Sequence, residues 1–217
     1  MKGFGKNNQS KQIKKQKNEE ILNIDKLIKK VFKLQAQGKK LEAAKYYAYL
    51  IKHGIKDYRV FSNYGIFLNE IGKQREAEFN LKKAISLNPK YANAYYNLGV
   101  VYIVQGNLEK AELELKKAVK LKSDFAIANY NLGFILKDLG RLKEADSYNQ
   151  KALEINPHFT DAYLSLSILY SSNKNPKWRD QLFSKSILKN KNNRELVNIF
   201  FARSNFLHRE SKYQESA

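Results

Sequence analysis

The sequence predicts an all-α fold, a solenoid of paired helices stacked side by side, and three observations predict it. Gly38, Gly72, Gly106 and Gly140 recur every 34 residues, with Ala43, Ala77, Ala111 and Ala145 each five residues behind. Gly65, Gly99 and Gly133 keep the same period, with Ser167 in the next place, as do Ala84, Ala118 and Ala152, followed by Ser186. Apolar residues four apart (Tyr64 and Leu68, Leu98 and Tyr102, Leu132 and Leu136, Leu166 and Tyr170) give the first helix of each period one apolar face. Several columns sharing one period of this length mark stacked helical hairpins, none of which can bury its apolar face alone.

The elements follow in order. Residues 1–20, MKGFGKNNQSKQIKKQKNEE, are basic and polar, lack the apolar stretch of a secretory signal, and predict a disordered tail. The array then occupies 21–217, in units 24–57, 58–91, 92–125 and 126–159, a degenerate fifth at 160–193, and a partial sixth at 197–217. Within a unit, the turn glycine suits the left-handed conformation that ends the first helix. The small residue at Gly65, Gly99 and Gly133 lets the second helix cross closely, and the Ala43 and Ala84 columns do the same from the other side. Pro89 and Pro157 close the second helix, a place taken by Ser123 and Lys191 elsewhere.

Terminal units of a stack are expected to be irregular. The first unit carries Lys30 and Lys40 where apolar residues are expected. The fifth loses its turn glycine to Lys174 and inserts NKNPKW, in which Asn175 and Pro176 read as a cap and first turn. Trp178, the one tryptophan, reads as packing ahead of a binding anchor. At the end, RELVNIFFARSNFLHRE reads as a first helix with Leu196, Ile199, Phe200, Phe206 and Leu207 on one side, and KYQESA as the opening of a second helix. Apolar surface left by that incomplete hairpin points to the front part of a longer protein.

Composition bounds the function. A hydrophobic content of 43% is that of a folded chain, and the absence of cysteine excludes disulfides, thiolate metal sites and cysteine nucleophiles. That absence fits a reducing, cytoplasmic setting. No apolar run approaches the roughly 18 residues of a membrane span. His53, His158 and His208 are scattered without metal-site spacing, and no phosphate-cradling loop or nucleophile elbow is present. No enzyme activity and no cofactor are expected. The net charge of +19 invites a nucleic-acid reading. The lysines, however, gather on second helices (Lys82, Lys83, Lys116, Lys117, Lys120, Lys122) and in the tail, where contact would be salt-sensitive and unspecific.

The stretch from Ala94, AYYNLGVVYIVQGNLEKAELELKKAVKL, resembles the tetratricopeptide repeat family. Tyr95 stands in the tryptophan place, followed by Leu98, Gly99 and Tyr102, then Ala111 and Leu115. The resemblance implies a right-handed α-solenoid of helix-turn-helix repeats, a protein or peptide partner, and a concave groove lined by set positions of the first helices. Those positions are Arg59, Ser62, Asn63, Ile66, Asn69 and Glu70 in the second unit, and Asn93, Tyr96, Asn97, Val100, Ile103 and Val104 in the third. The fourth contributes Ile127, Tyr130, Asn131, Phe134, Lys137 and Asp138.

Asn63, Asn97 and Asn131 form one column, and an amide can donate to and accept from a peptide backbone at once. The column resembles the asparagine ladder in the tetratricopeptide superhelix of protein O-linked N-acetylglucosamine transferase; asparagine is also common at this position in the family at large. Tyr96, Tyr130, Val100 and Phe134 offer side-chain pockets, with packing between first helices as the alternative for the tyrosines. Arg59 and Lys137 oppose Glu70 and Asp138, so the channel is nearly neutral and lacks the basic clamp of chaperone-binding relatives. The MKGFG start and Asn-Leu-Gly units also look like the N-terminal part of bacterial, cyanobacterial-type proteins that continue into a glycosyltransferase- or sulfotransferase-like domain. A substrate-presenting module is therefore the alternative function. Oligomeric state and partner identity are not set by the sequence.

Overall fold

The computed structural model describes residues 24–169 and 177–216, with the side chains of 212–216 excepted. The predicted tail at 1–20 and the cap at Asn175 and Pro176 lie outside the described residues. These residues form helices and no strand, in two compact units, Met1–Pro89 and Lys90–Ala217.

The first unit holds α1 (24–36), α2 (Lys40–Lys52), α3 (Tyr58–Glu70) and α4 (Gln74–Leu87). Its core gathers Ile28, Val31, Leu34, Ala43, Tyr47, Leu50 and Val60. The α3–α4 turn shows why the glycine column exists. Gly72 has φ +80°, its N–H donates to the Asn69 carbonyl at 3.0 Å, and the Lys73 N–H donates to Leu68 at 2.8 Å. That pair of bonds satisfies two carbonyls the helix end would otherwise orphan. At the next column, a Cβ on Gly65 would lie 2.8 Å from Leu81 Cγ, so only glycine lets α3 and α4 meet this closely. The irregular lysines find polar partners: Lys30 Nζ donates to the Tyr46 hydroxyl at 2.9 Å, and Lys40 pairs with Glu70 at 2.8 Å.

The second unit holds α5 (Ala92–Val104), α6 (Leu108–Leu121), α7 (Ala126–Asp138), α8 (Leu142–Ile155), α9 (Thr160–Leu169), α10 (Trp178–Phe183), a 3-10 turn (Ser186–Leu188) and α11 (Asn193–Ser216). Helices α5 and α6, and α7 and α8, form hairpins; α6 also packs on α7, α8 on α9, and α9 on α11. Trp178 is packing: it is 7% exposed, with its ring edge-on to Phe206 at 5.5 Å and to Tyr163 at 6.4 Å. An ion network ties α6 to α8, Arg141 reaching Glu112 at 2.8 Å and Glu144 at 2.7 Å.

Two features differ from the sequence reading. The chain does not open a second helix at Lys212; α11 runs unbroken to Ser216. The residues expected on one side of it are divided, with Ile199 and Phe206 in the core and Phe200 and Leu207 about half exposed. Ile199, Ala202 and Phe206 follow one helical face, and the residues between them form another. The fourth hairpin also hides two asparagines that the apolar pattern gave no reason to bury. Asn149 stands opposite Gly133 where Leu81 and Leu115 stand opposite Gly65 and Gly99. Asn129 takes the place of Phe61, Tyr95 and Tyr163. Both are 0% exposed, and the amide oxygen of each has no hydrogen-bond partner.

Candidate first-helix binding face

In the first unit, the face is polar and internally tied. Asn63 is half-buried and its amide donates to the Tyr47 hydroxyl at 3.2 Å; that hydroxyl in turn donates to Gln35. Burial pushes the Tyr47 phenol up to about 12, against a weaker opposing effect of Asn63, so it stays a neutral donor. Ser62, expected on the face, is fully buried. Arg59 is turned to its own helix start: Asp57 accepts from the Arg59 backbone N–H at 2.8 Å and from its guanidinium at 2.6 Å. Burial raises the Asp57 pKa, but the Arg59 bonds outweigh it and hold the carboxyl below its ordinary value. The Arg59 guanidinium also lies 5.2 Å from the Phe32 ring centre.

In the second unit, Tyr96 and Tyr130 stand on aromatic props. The Tyr96 ring lies 5.0 Å from Phe125, and Tyr130 meets Phe159 edge-on at 5.0 Å. Each prop immediately precedes the next first helix, and the two are 34 residues apart, a spacing visible in the sequence. The Asn131 amide approaches the Tyr96 hydroxyl at 3.5 Å, joining α7 to α5. Burial raises both tyrosine pKa values, and both remain neutral.

Beyond the tyrosines the face turns apolar. Val100, Phe134 and Ile168 occupy one position in α5, α7 and α9; Val100 is partly buried, Phe134 is 37% exposed and Ile168 45%. Lys137 lies 5.2 Å from the Phe134 ring centre and 3.6 Å from Asp138, so it adds little net charge. Asn97 is half-buried on α5 at the position of Asn131 on α7. Asn198 donates to Asp161 at 3.0 Å and Asn205 to Ser167 at 3.3 Å, docking α11 beside α9. This leaves Val197, Phe200, Phe201 and Leu207 outward, each half exposed or more. Among the described residues no group of three or more His, Asp or Glu side chains could hold a metal ion, and no helix is long and apolar enough to cross a membrane.

Models of the tetratricopeptide repeat match residues 58–91, 80–113 and 126–159, and a TPR repeat model matches 101–140. No curated protein matches the chain. Solved structures similar to it include MamA from Desulfovibrio magneticus RS-1, at 18% identity and a TM-score of 0.61, covering 88% of this chain and 96% of that one. PilF of Pseudomonas aeruginosa is 15% identical with a TM-score of 0.66, over 89% and 97% of the two chains. YrrB, described as a TPR protein with an unusual peptide-binding site, is 19% identical with a TM-score of 0.59, over 85% and 90%. At these identities the likeness shows the fold.

Proposed function

The chain belongs to the tetratricopeptide repeat family, with its all-α solenoid fold, and on that premise we propose that it is a protein-interaction module holding a peptide segment of a partner on its first-helix face. One observation carries the reading. On α5 and α7, equivalent half-buried amides (Asn97, Asn131) stand next to solvent-reachable apolar side chains (Val100, Phe134), so backbone-gripping and side-chain-seating groups repeat together. An amide that donates and accepts grips a peptide backbone whatever its sequence, and apolar seats add affinity. The peptide-binding site named for YrrB supports the same use of the fold. The Arg59–Asp57 and Lys137–Asp138 pairs leave no basic clamp for a terminal carboxylate, so affinity rests on uncharged contacts and is expected near the micromolar range.

The test is selection of peptides from a displayed random library, followed by titration of a selected peptide against the chain and against the Asn97→Ala/Asn131→Ala variant. Two amide bonds at about 1 kcal/mol each correspond to about thirtyfold weaker binding. Helicity should be unchanged. Unaltered affinity removes the amides from the site, and failure of the library to yield any binder counts against the module itself.

A further inference from the structure

Beyond that reading, we propose a second binding surface in the Lys90–Ala217 unit. The outward face of α11 is an open seat for one amphipathic helix of a partner protein, whose docking side carries a leucine flanked by alanines. Burial fixes which way α11 is turned. In α5 and α7 two apolar residues seven apart (Ala94 and Val101, Ala128 and Ile135) are fully buried, and in α11 the pair is Ile199 and Phe206. The bonds of Asn198 to Asp161 and of Asn205 to Ser167 advance together along both helices, so α11 lies parallel to α9 as one first helix to the next. Counted from these anchors, Phe200, Ser204 and Leu207 stand where α5 has Tyr95, Gly99 and Tyr102 and α7 has Asn129, Gly133 and Leu136. In α5 and α7 that face lies under the second helix of the same hairpin. A Cβ on Gly99 would lie 2.7 Å from Leu115 Cγ, and one on Gly133 2.7 Å from Asn149 Nδ2. On α11 the same face is open, Phe200 being 54% and Leu207 50% exposed, with Ser204 exposed between them. Arg203, where α5 and α7 have Leu98 and Leu132, donates to the Leu182 and Ser184 carbonyls at 2.9 and 3.0 Å and is held at the border of the face.

The neighbouring hairpins define the occupant. The helices that fill this place present one buried stripe, Ala111, Leu115 and Ala118 in α6 and Ala145, Asn149 and Ala152 in α8. The alanines let the backbones approach, and the central side chain drops onto the small residue opposite. Ser204 keeps that crossing place small on α11. Ser167, at the same place in α9, is fully buried, so a serine there accepts a covering neighbour. The covering helix is not supplied by the chain at this point. Helices α5 and α7 give way to the left-handed Gly106 and Gly140, and the chain turns back into α6 and α8. Helix α11 has Ser211 in that place and stays helical through Ser216. A second copy is a poor complement: its α6 and α8 are engaged by α5 and α7, and its α11 would bring Phe200 and Leu207, not alanines, to the crossing. Phe200, Ser204 and Leu207 are uncharged, so recognition rests on apolar fit and persists at high salt.

The probe is a fluorescein-labelled peptide with the sequence of α6, Leu108–Leu121, held helical by a hydrocarbon staple across its exposed positions 109 and 113. A comparator of the same charge carries Ala111→Gln/Leu115→Gln. Anisotropy titrations of the full chain should show the α6 peptide binding about tenfold or more tighter than the comparator. Its affinity should change by less than about threefold between about 0.15 M and about 1 M salt. Phe200→Ser/Leu207→Ser and, separately, Ser204→Arg should each weaken it by about tenfold or more, with circular dichroism unchanged. Ser204→Arg, at an exposed site, keeps the test open should the double variant misfold. Asn97→Ala/Asn131→Ala should leave the affinity as it is. Equal binding of the comparator overturns the stripe, and unaltered binding in either α11 variant overturns the place. Loss of binding in Asn97→Ala/Asn131→Ala puts the peptide on the first-helix face and overturns the second surface. Binding lost at about 1 M salt overturns the apolar fit. No binding up to about 100 µM overturns the proposal, as does a dimer in sedimentation velocity that Phe200→Ser/Leu207→Ser dissolves, which makes the occupant a second copy.

Discussion

Replacing Asn149 with leucine should make the protein more stable, although a buried hydrogen-bonded residue is lost. In the second and third units, the equivalent residues Leu81 and Leu115 are fully buried and fit against Gly65 and Gly99. Gly133 leaves the same space in the fourth unit, so a leucine has a formed seat. The asparagine is only half satisfied there. Its amide N–H₂ donates to Ala145 O and to Ser165 Oγ, both at 2.9 Å, while its buried oxygen has no partner. An orphaned buried acceptor costs about 1–3 kcal/mol, and the two donated bonds contribute about 0.5–1.5 kcal/mol each. Ser165 is partly exposed and can turn to water, and the Ala145 carbonyl keeps its helical bond, so most of what the asparagine donates is replaced. Burying the leucine side chain adds about 1.5–3 kcal/mol. A net gain of about 1–3 kcal/mol is expected. For a chain of this size that raises Tm by roughly 2–12 °C, at about 2–4 °C per kcal/mol. Thermal melts followed by circular dichroism at 222 nm (roughly the helical minimum) provide the readout, with Asn149→Ala as the control that removes the orphan but leaves a gap and gains less. An Asn149→Leu protein that melts at or below the parent temperature would refute the reasoning, since it would mean the fourth hairpin is not built on the leucine pattern of its neighbours.

Gly99→Ala should lower stability by about 1–3 kcal/mol despite alanine's better helix propensity, because the new Cβ would lie 2.7 Å from Leu115 Cγ in a filled core; a denaturant melt checks it. Acid should weaken the second unit through Glu112. Burial raises its pKa, but hydrogen bonds from Lys116 and Arg141 outweigh this and lower it, so the stability it contributes is present above about pH 5 and is lost as pH falls through the folded value. Arg141→Ala should therefore shrink the difference in Tm between pH 7 and pH 3 (roughly the range that titrates carboxylates), and an unchanged difference would place the acid sensitivity elsewhere. Tyr47 should titrate at about pH 12 in the folded protein, its neutral form and the stability it carries holding up to about pH 10 and draining above. Ultraviolet titration of Tyr47→Phe against the parent isolates it.

The repeat architecture was legible because each column answers a backbone demand that few residues can meet. Gly72 and its equivalents occupy left-handed turns, and Gly65 and its equivalents face a side chain within 3 Å of where a Cβ would be. The binding face was legible only as positions. Sequence spacing put Asn63 and Asn131 in one column and Arg59 on the same helix as Asn63, but not their attachments: those of Asn63 to Tyr47 and Asn131 to Tyr96 depend on side-chain reach between helices, and Arg59 folds back onto Asp57 at its own helix start. Helix α11 was misread for a different reason. Leu196, Val197, Ile199, Phe200, Phe201, Phe206 and Leu207 are apolar on more than one face, so periodicity alone gives no phase. The docking of Asn198 on Asp161 and Asn205 on Ser167 is what sets it. Asn129 and Asn149 were invisible because polar residues on a helix read as surface unless the glycine opposite is paired with them.

The claim that a partner segment lies along the first-helix face is tested most directly by site-specific photo-crosslinking. A photoreactive amino acid is placed either at Phe134, on α7, or at Leu113, which is 55% exposed on the second helix α6. A library-selected peptide should attach to the protein carrying the label at position 134 and leave the protein labelled at 113 unmodified. Attachment at 113 as efficient as at 134, or at 113 alone, would mean that the partner binds the opposite side of the hairpins.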